Sequence, residues 1–322
     1  MNFYKKVIRD QKTRLKILKL LRFVPDNLMI KIQYKIKTGH RLNLKNPRRY
    51  TEKIQWYKLY YRKQIMTICS DKFEVRKFVE KKECSHLLNN LYAVYDSPEE
   101  VSFNGLPNSF AMKMTVGSGM NYFVRDMKNE NEEHLKAIIR GWFDADSSSY
   151  GREWSYYNIK PRIIFEELLP LNERNDLPDY KFFCFGGEPY CLYTMIDYSV
   201  NHQEGKLGFF DMDFKLLPYY RKDFSPITEQ LETPINFDEM VKYARILSKG
   251  FPHVRVDFYN VEGRVVFGEM TFYNASGYTV FEPDEFDYIM GDVFKIPEIS
   301  GGGAKFELIQ AWVGDLYGGI AA

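Results

Sequence analysis

The stretch "RVDFYNVEGRVVFGEMTF", residues 255–272, constrains the fold more than any other part of this chain. Two runs rich in Val, Phe and Tyr flank a short "NVEG", the pattern of a β-hairpin. Each run carries one carboxylate in its middle, Asp257 and Glu269. A charge among apolar neighbours is costly to bury uncompensated, so one face of this hairpin must meet cations or water. If "VEG" is a three-residue loop, Gly263 takes the left-handed position that such loops favour. Asn260 then pairs with Arg264, Asp257 with Phe267, and Arg255 with Glu269. In that register Arg255, Asp257, Glu269 and Thr271 share a face, with the two acids diagonal and roughly 7–8 Å apart. An even loop sends the acids to opposite faces. Two chemistries stay open for this face. One is a magnesium site of hard oxygen ligands, which usually also takes nucleotide phosphates. The other is a salt-bridged sheet in which Arg255 satisfies Glu269.

The rest of the chain narrows the classes. Its 322 residues suffice for one large domain or two modest ones. Cys69, Cys84, Cys184 and Cys191 form no CxxC pair, which points to a reducing compartment. The five histidines show no zinc-ligand spacing. No apolar run approaches the roughly 20 residues that span a bilayer, and Lys16 and Lys19 interrupt "LKILKLL", so a cytoplasmic location is expected. The charge is uneven. Residues 1–63 hold 19 Lys and Arg against Asp10, Asp26 and Glu52, although the whole chain sums to +2. A basic end on an acidic body suggests an anionic partner there.

Along that basic end, "KTRLKILKLLRFV" sets Leu15, Leu18, Leu21 and Val24 at helical spacing. It predicts a helix that either lies on anionic lipid or packs on its own domain. Further helices are expected at 51–63, after a cap at Ser70 or Asp71, over "HLKAIIRGWF", and over "FDEMVKYARILSKG" ending at Gly250. Strands are expected within "LPNSFAMKMTVGSG", between a turn and a glycine loop, and in "RIIFEELL", "DYKFFCFGGEPYCLYTMID" and "KLGFFDMDFKLLP", joined by tight turns. Elements mixed without strict alternation predict an α+β class rather than a doubly wound sheet. A "SGGG" linker and tail, 298–322, reads as an appended segment and is left out of the fold.

Several further residues carry chemical potential. Lys113 sits in an apolar strand just before Gly117, Ser118 and Gly119, where one cation and backbone N–H groups can hold phosphates. It is not a Walker motif, since no GxxxxGK[ST] occurs. Glu166 and Glu167 end an apolar strand, and Lys181 is a lone cation among aromatics. The order is lysine and glycine loop, acidic strand end, second lysine, then Arg-x-Asp and Glu-x-Thr. It resembles the ATP-grasp fold, in which two α+β subdomains close on ATP. More closely, "NPRRYTEKIQWYKLYYR", "SDKFEVRKFVEKK", "LPNSFAMKMTVGSG", "PRIIFEELL", "DYKFFCFGGEP" and "FPHVRVDFYNVEGRVVFGEMTFYNASG" resemble the TupA-like ATP-grasp family of surface-polysaccharide clusters, over roughly residues 46–297.

The resemblance implies an ATP-grasp domain at 67–297, preceded by the basic helical region at 1–66. That domain would divide into subdomains of about 67–165 and 166–297. It implies ATP and Mg2+ as cofactors. Lys113 and Lys181 would contact phosphates under the loop Gly117–Ser118–Gly119, and Glu166 and Glu167 would border the adenosine. Asp257 and Glu269 would ligate magnesium, with Thr271 standing where many members of the fold have Asn, and Asn274 as its nearest substitute. The implied activity is ATP-dependent carboxylate–amine ligation through an acyl phosphate, with Arg255 steadying that intermediate. The implied substrates are an amine or amino acid and the uronic-acid carboxyl of a capsular or wall glycan. The basic region 1–63 would suit a lipid-linked acidic glycan or an anionic membrane at the inner face. Two other classes are weighed. Asp211-Met212-Asp213 is a DxD of the kind metal-dependent glycosyltransferases use, and the same residues also suit a turn. Aromatics interleave with bases in "QWYKLYYRK", as in single-strand binders, yet they fit a helix core as well, and nucleic acid is not the expected partner.

Overall fold

A computed structural model describes residues 11–145, 151–197 and 205–298. The expected tail therefore lies, beyond residue 298, outside the described residues. Helices occupy Gln11–Leu20 (α1), Asp26–Thr38 (α2), Tyr50–Tyr60 (α3), Gln64–Ser70 (α4) and Val75–Lys81 (α5). Strands Leu91–Tyr95 (β1), Phe110–Met114 (β2) and Asn121–Val124 (β3) follow, then helix Glu132–Asp144 (α6) and strand Ile163–Glu166 (β4). The second half holds Asp179–Phe185 (β5), Glu188–Ile196 (β6), Lys206–Phe210 (β7), Tyr220–Arg221 (β8) and Ser225–Pro226 (β9). It closes with Phe237–Ser248 (α7), His253–Val261 (β10), Arg264–Thr271 (β11), Phe281–Glu282 (β12) and Glu285–Val293 (α8).

The strands form two main sheets, as an α+β class requires. The first has the order β1-β4-β2-β3, the second β11-β10-β5-β6-β7-β9, and β12 pairs with β8 alone. All pairings are antiparallel except β7 with β9. The first sheet packs on α6 through Phe110, Met112, Phe165, Leu135 and Ile139. The second sheet buries one face against α7, where Phe182 stacks on Phe237 at 5.9 Å and meets Phe258 edge-on.

Its other face takes α3 rather than solvent. Tyr50, Ile54 and Tyr57 of α3 belong to the same core as Phe183, Phe185 and Phe209. Helix α3 is tied to α8 by Arg49, whose guanidinium grips Asp284 at 2.6 and 2.7 Å, and by Thr51, whose N and Oγ1 donate to Asp287 at 2.9 and 2.7 Å. Residue 66 lies inside α4, and the core runs through it without a break, since Ile65, Met66 and Ile68 share the cluster of the second sheet. Asp71 holds the turn that leads into α5, its Oδ1 accepting from the N–H groups of Phe73 and Glu74 at 2.8 and 3.1 Å. The DxD segment forms a turn after β7: Asp211 Oδ1 accepts from the N–H groups of Asp213 and Lys215.

The β10–β11 register departs from the expected one. Val261 pairs with Arg264, so the loop holds two residues, Glu262 and Gly263, with φ of +50° and +83°. Positive φ at both positions is the geometry that suits the twist of a two-residue hairpin. The sequence signal for three residues, a glycine in the left-handed position, fits this shorter turn equally well. Asn260 therefore faces Val265, and Phe258 faces Phe267. A bulge between Asp257 and Phe258 then shifts the ladder by one residue. Asp257 lies directly opposite Glu269, and Arg255 opposite Thr271.

Candidate active site

The bulge restores to one face the four side chains that an even loop alone would have divided. Gly268 is the extra residue. A Cβ built there would stand 3.1 Å from the Asp257 carbonyl oxygen, so this close backbone approach suits glycine. Lys181 of β5 extends the row, because Asp257 is also its direct cross-strand neighbour.

Arg255 organises the floor of this face. Its Nε and NH2 hold Asp257 at 2.7 and 2.6 Å, while NH2 also reaches Glu269 at 2.8 Å and Thr271 Oγ1 at 3.1 Å. Its NH1 donates to Tyr193 OH and to Asn274 Oδ1 at 3.2 and 2.5 Å. Lys181 Nζ bridges Asp257 and Asp179 at 2.8 and 2.5 Å. Asp257 is thus a buried carboxylate with three charged donors, the condition under which burial of charge is tolerable. Glu269 differs, since two-fifths of its side chain is open to the cleft.

The facing wall comes from the first sheet. Lys113 on β2 pairs with Glu166 at the end of β4. The loop between β2 and β3 turns through Gly117 and Gly119, with φ of +76° and +79°. Lys72, between α4 and α5, donates to the Gly117 carbonyl at 2.6 Å and anchors that loop. Between the walls lies a cleft of about 180 Å³. Its polar lining includes Lys72, Lys113, Ser118, Gly119, Glu166, Lys181, Asp257 and Glu269, and its apolar lining includes Leu88, Leu169, Tyr259, Val266 and Phe267.

The charges reinforce each other. Burial alone would pull the Lys113 ammonium down, but Glu166 leaves it above the ordinary lysine value. Burial likewise opposes Lys181, and Asp179 with Asp257 pushes it well above the ordinary value. Burial also pushes the Asp257 carboxyl up, against Arg255 and Lys181. For Glu269 burial loses: Arg255, Lys181 and Lys72 bring its carboxyl down to about 2. One acid is therefore buried and clasped, the other ionised and open to the cleft.

Of the residues singled out in the sequence, Lys113, Ser118, Gly119, Glu166, Lys181, Asp257 and Glu269 line this one cleft. Arg255 and Thr271 lie beneath it. Glu167 turns away to Arg264 at 2.9 Å and to Asn90, clasping β4 to β11. Lys72, Arg76, Asn89 and Tyr259 also line the cleft and had no signal. Lys72, for one, sits in "SDKFEVRKF", where a lysine beside a helix cap reads as solvated.

The donor set fits a magnesium ion. Asp257 and Glu269 offer hard oxygens side by side, one of them anionic and reachable, with the Thr271 hydroxyl against Glu269 at 3.0 Å. Asn274 lies one hydrogen bond away, and its only ligating atom, Oδ1, is held by Arg255 at 2.5 Å. Among the described residues no three His, Cys, Asp or Glu side chains gather at one point. Magnesium commonly takes only one or two carboxylates and completes its shell with phosphate and water.

Comparison with known proteins gives a family and a set of distant structural neighbours. A family model described as TupA-like ATPgrasp matches residues 52–295. No curated protein matches. Among solved structures, D-alanine–D-alanine ligase from Bacillus anthracis complexed with ATP aligns at 14% identity, covering 64% of this chain and 54% of that one, with a TM-score of 0.39. N5-carboxyaminoimidazole ribonucleotide synthetase from Thermus thermophilus aligns at 12% identity, 64% and 45% coverage and a TM-score of 0.36. The ATP-grasp ligase PsnB, complexed with a phosphomimetic variant of its minimal precursor, Mg and ADP, aligns at 12% identity, 69% and 60% coverage and a TM-score of 0.35. The chain spans about half the length of the first of these.

Proposed function

Because the chain belongs to the TupA-like ATP-grasp family, we propose that it is an ATP-dependent carboxylate–amine ligase working through an acyl phosphate. The observation that supports this most is the apposition of Asp257 and Glu269 across a narrow cleft from Lys113, Lys72 and the Gly117–Gly119 loop. Phosphoryl transfer asks the protein mainly for positioning and charge neutralisation, and these groups are placed for both.

In this reading the adenine rests among Leu88, Leu169, Tyr259, Val266 and Phe267, with Glu166 bordering the ribose and Glu167 holding that strand end to Arg264. Lys113, Lys181 and Lys72 bind the triphosphate, and the amides of Gly117, Ser118 and Gly119 cover it. Asp257 and Glu269, with Thr271 or Asn274, would hold magnesium, which when bound would neutralise phosphate charge. A substrate carboxylate oxygen attacks the γ-phosphorus, the bond to the bridging oxygen breaks, and ADP leaves. An amine nitrogen then adds to the acyl carbon, a proton is lost from that nitrogen, and inorganic phosphate departs with the C–O electron pair. Arg255 positions both acids and steadies the acyl phosphate, and the oxyanion after it, by exchanging a side-chain acceptor for a substrate oxygen. The substrates proposed are a uronic-acid carboxyl of a capsular or cell-wall glycan and an amino acid or amine.

The test is to incubate the chain with ATP, Mg2+ and pairs of uronic acids and amines, following ADP and product mass. ADP release that needs both partners, with a product heavier by the amine less water, supports the ligase. UDP release from a sugar nucleotide without ADP formation would replace this reading by a glycosyltransferase.

A further inference from the structure

Helices α1 and α2 carry a surface that the proposed reaction does not use. Leu20, Phe23, Leu28, Ile32 and Ile36 are 76, 83, 50, 44 and 49% exposed. Among the described residues the other large apolar side chains left this open are tyrosines, apart from Phe123 and Ile235. Leu28, Ile32 and Ile36 follow one another at every fourth position, so they form a ridge along the outside of α2. Lys31 and Lys35 stand exposed beside that ridge, and Lys16, Lys19 and Arg22 stand exposed on the preceding segment.

The ridge is held outward. The opposite side of α2 buries Met29, Ile30, Gln33 and Tyr34. Tyr34 OH meets Thr51 Oγ1 at 2.8 Å, and Tyr278 OH donates to Gln33 Oε1 at 2.6 Å. Arg152 locks the corner between the helices, donating to the carbonyls of Leu21 and Val24 at 2.8 and 3.0 Å and to Asp26 at 2.9 Å. Among the described residues the acids of this region, Asp26 and Glu52, are engaged by the protein itself. Asp26 is taken by Arg152 and Arg62, and Glu52 accepts from the N–H groups of Asn43, Arg48 and Arg49. What faces out is apolar and cationic together.

We propose that this face seats the protein on an anionic phospholipid bilayer, with α2 lying in the interface. Phe23, Leu28, Ile32 and Ile36 would enter the acyl boundary, and the long lysine stems would let the ammonium groups reach lipid phosphates. The charge pattern selects this occupant. A second copy of the same face would bring like charges together across a two-fold axis. Single-stranded nucleic acid calls for aromatic platforms, and duplex phosphates are met by cations alone, so neither uses an aliphatic ridge. Helix α2 has 13 residues, and among the described residues no helix is long and apolar enough to cross a membrane. The proposal does not depend on the ligase reading.

The test is co-sedimentation of the full chain with vesicles of phosphatidylcholine alone or mixed with phosphatidylglycerol. Binding to the mixed vesicles only, weakened by salt, is expected. The double variant Ile32→Glu/Ile36→Glu and the charge reversal Lys31→Glu/Lys35→Glu should each lower partitioning by about tenfold or more, with melting curves unchanged. In Phe23→Trp, quenching of the new indole by brominated lipid reports insertion even if a charged variant folds poorly. Equal binding to neutral vesicles, or full binding by the Ile32→Glu/Ile36→Glu variant, overturns the proposal. So does a dimer that this variant dissociates while the unaltered chain ignores vesicles.

Discussion

Asp257 and Glu269 stand opposite each other only because Gly268 is an extra residue in β11. The two-residue turn at Glu262–Gly263 would otherwise pair Asp257 with residue 268 and place Glu269 on the far face of the sheet. One residue of irregularity therefore joins a buried acid that Arg255 and Lys181 clasp to an acid that reaches the cleft.

Gly268 is the most direct place to test this. In Gly268→Ala the new methyl meets the Asp257 backbone, with 3.1 Å to its oxygen and 3.4 Å to its Cβ. We expect a loss of about 1–3 kcal/mol, the usual scale of overpacking. Deleting Gly268 should do less harm: the ladder becomes regular with Phe258 still opposite Phe267 and Asp257 still opposite Glu269, so the acids stay on one face and ADP release persists. Urea unfolding with parallel turnover separates the two variants, and a folded deletion variant that has lost ADP release would show that the bulge does more than set the register.

The acids themselves should respond unequally. Glu269→Gln removes a charge that Arg255, Lys181 and Lys72 hold, on a side chain that is part-exposed, and should cost about 1 kcal/mol. Asp257→Asn leaves two buried cations with a weaker acceptor and should cost about 1–3 kcal/mol. Both should lower ADP release by roughly a hundredfold or more, the scale of one lost electrostatic contact to a transferring group. Magnesium titration of each variant should show weaker activation than the unaltered chain, and chelation should abolish activity in all. Full turnover by Glu269→Gln would remove the metal role.

Much of this site was legible in the sequence, for identifiable reasons. Asp257, Glu269 and Lys181 are charges inside strands otherwise made of Val, Phe and Tyr, so their anomaly is local. Lys113 is announced by the glycines after it. The bulge was not legible, because "VFGEM" reads as an ordinary strand and only the Asp257 carbonyl, on the other strand, explains the glycine. Lys72 was hidden for a related reason: its function comes from the Gly117 carbonyl, 45 residues on. Nor did the basic composition around α3 reveal that Tyr50, Ile54 and Tyr57 belong to the core of the second sheet, since lysines at Lys53 and Lys58 mask the apolar stripe.

His253 predicts a pH dependence. The ring is fully buried, with Nδ1 2.9 Å from the Cys184 carbonyl and Nε2 3.1 Å from Tyr50 OH. A carbonyl only accepts, so Nδ1 carries the proton and Nε2 accepts from the tyrosine. Burial lowers the imidazole to about 3, against 6.5 when exposed. Between those values the unfolded chain binds the additional proton, so stability is complete above about pH 6.5 and falls as pH drops towards 3. The slope from this group approaches about 1.4 kcal/mol per pH unit. Urea midpoints measured from pH 7 to 4 should fall less steeply in His253→Gln, and an unchanged slope would show that the ring titrates normally.

Lys58 ties the basic helix to the loop that follows the acids. Ala275, Ser276 and Gly277 all take positive φ, an arrangement that needs external support. Gln55 Nε2 donates to the carbonyls of Ser276 and Gly277 at 3.0 and 2.6 Å, and Lys58 Nζ donates to those of Ser276 and Gly151 at 2.8 and 2.9 Å. The ammonium is fully buried 4.6 Å from the Tyr278 ring centre, and burial pulls it down to about 7 against the pull of Glu153. Lys58→Met keeps the stem but strands the Gly151 carbonyl and leaves Glu153 without its nearby cation. A loss of about 1–3 kcal/mol follows, the scale of a buried acceptor left unsatisfied. Because this loop carries Asn274 onto Arg255, turnover should fall further than stability explains at a temperature where the variant remains folded. Lys58→Arg, which keeps a cation but cannot fit the same pocket unaltered, should recover stability only in part. A Lys58→Met protein with unaltered melting and unaltered turnover would show that the loop holds its shape without the helix.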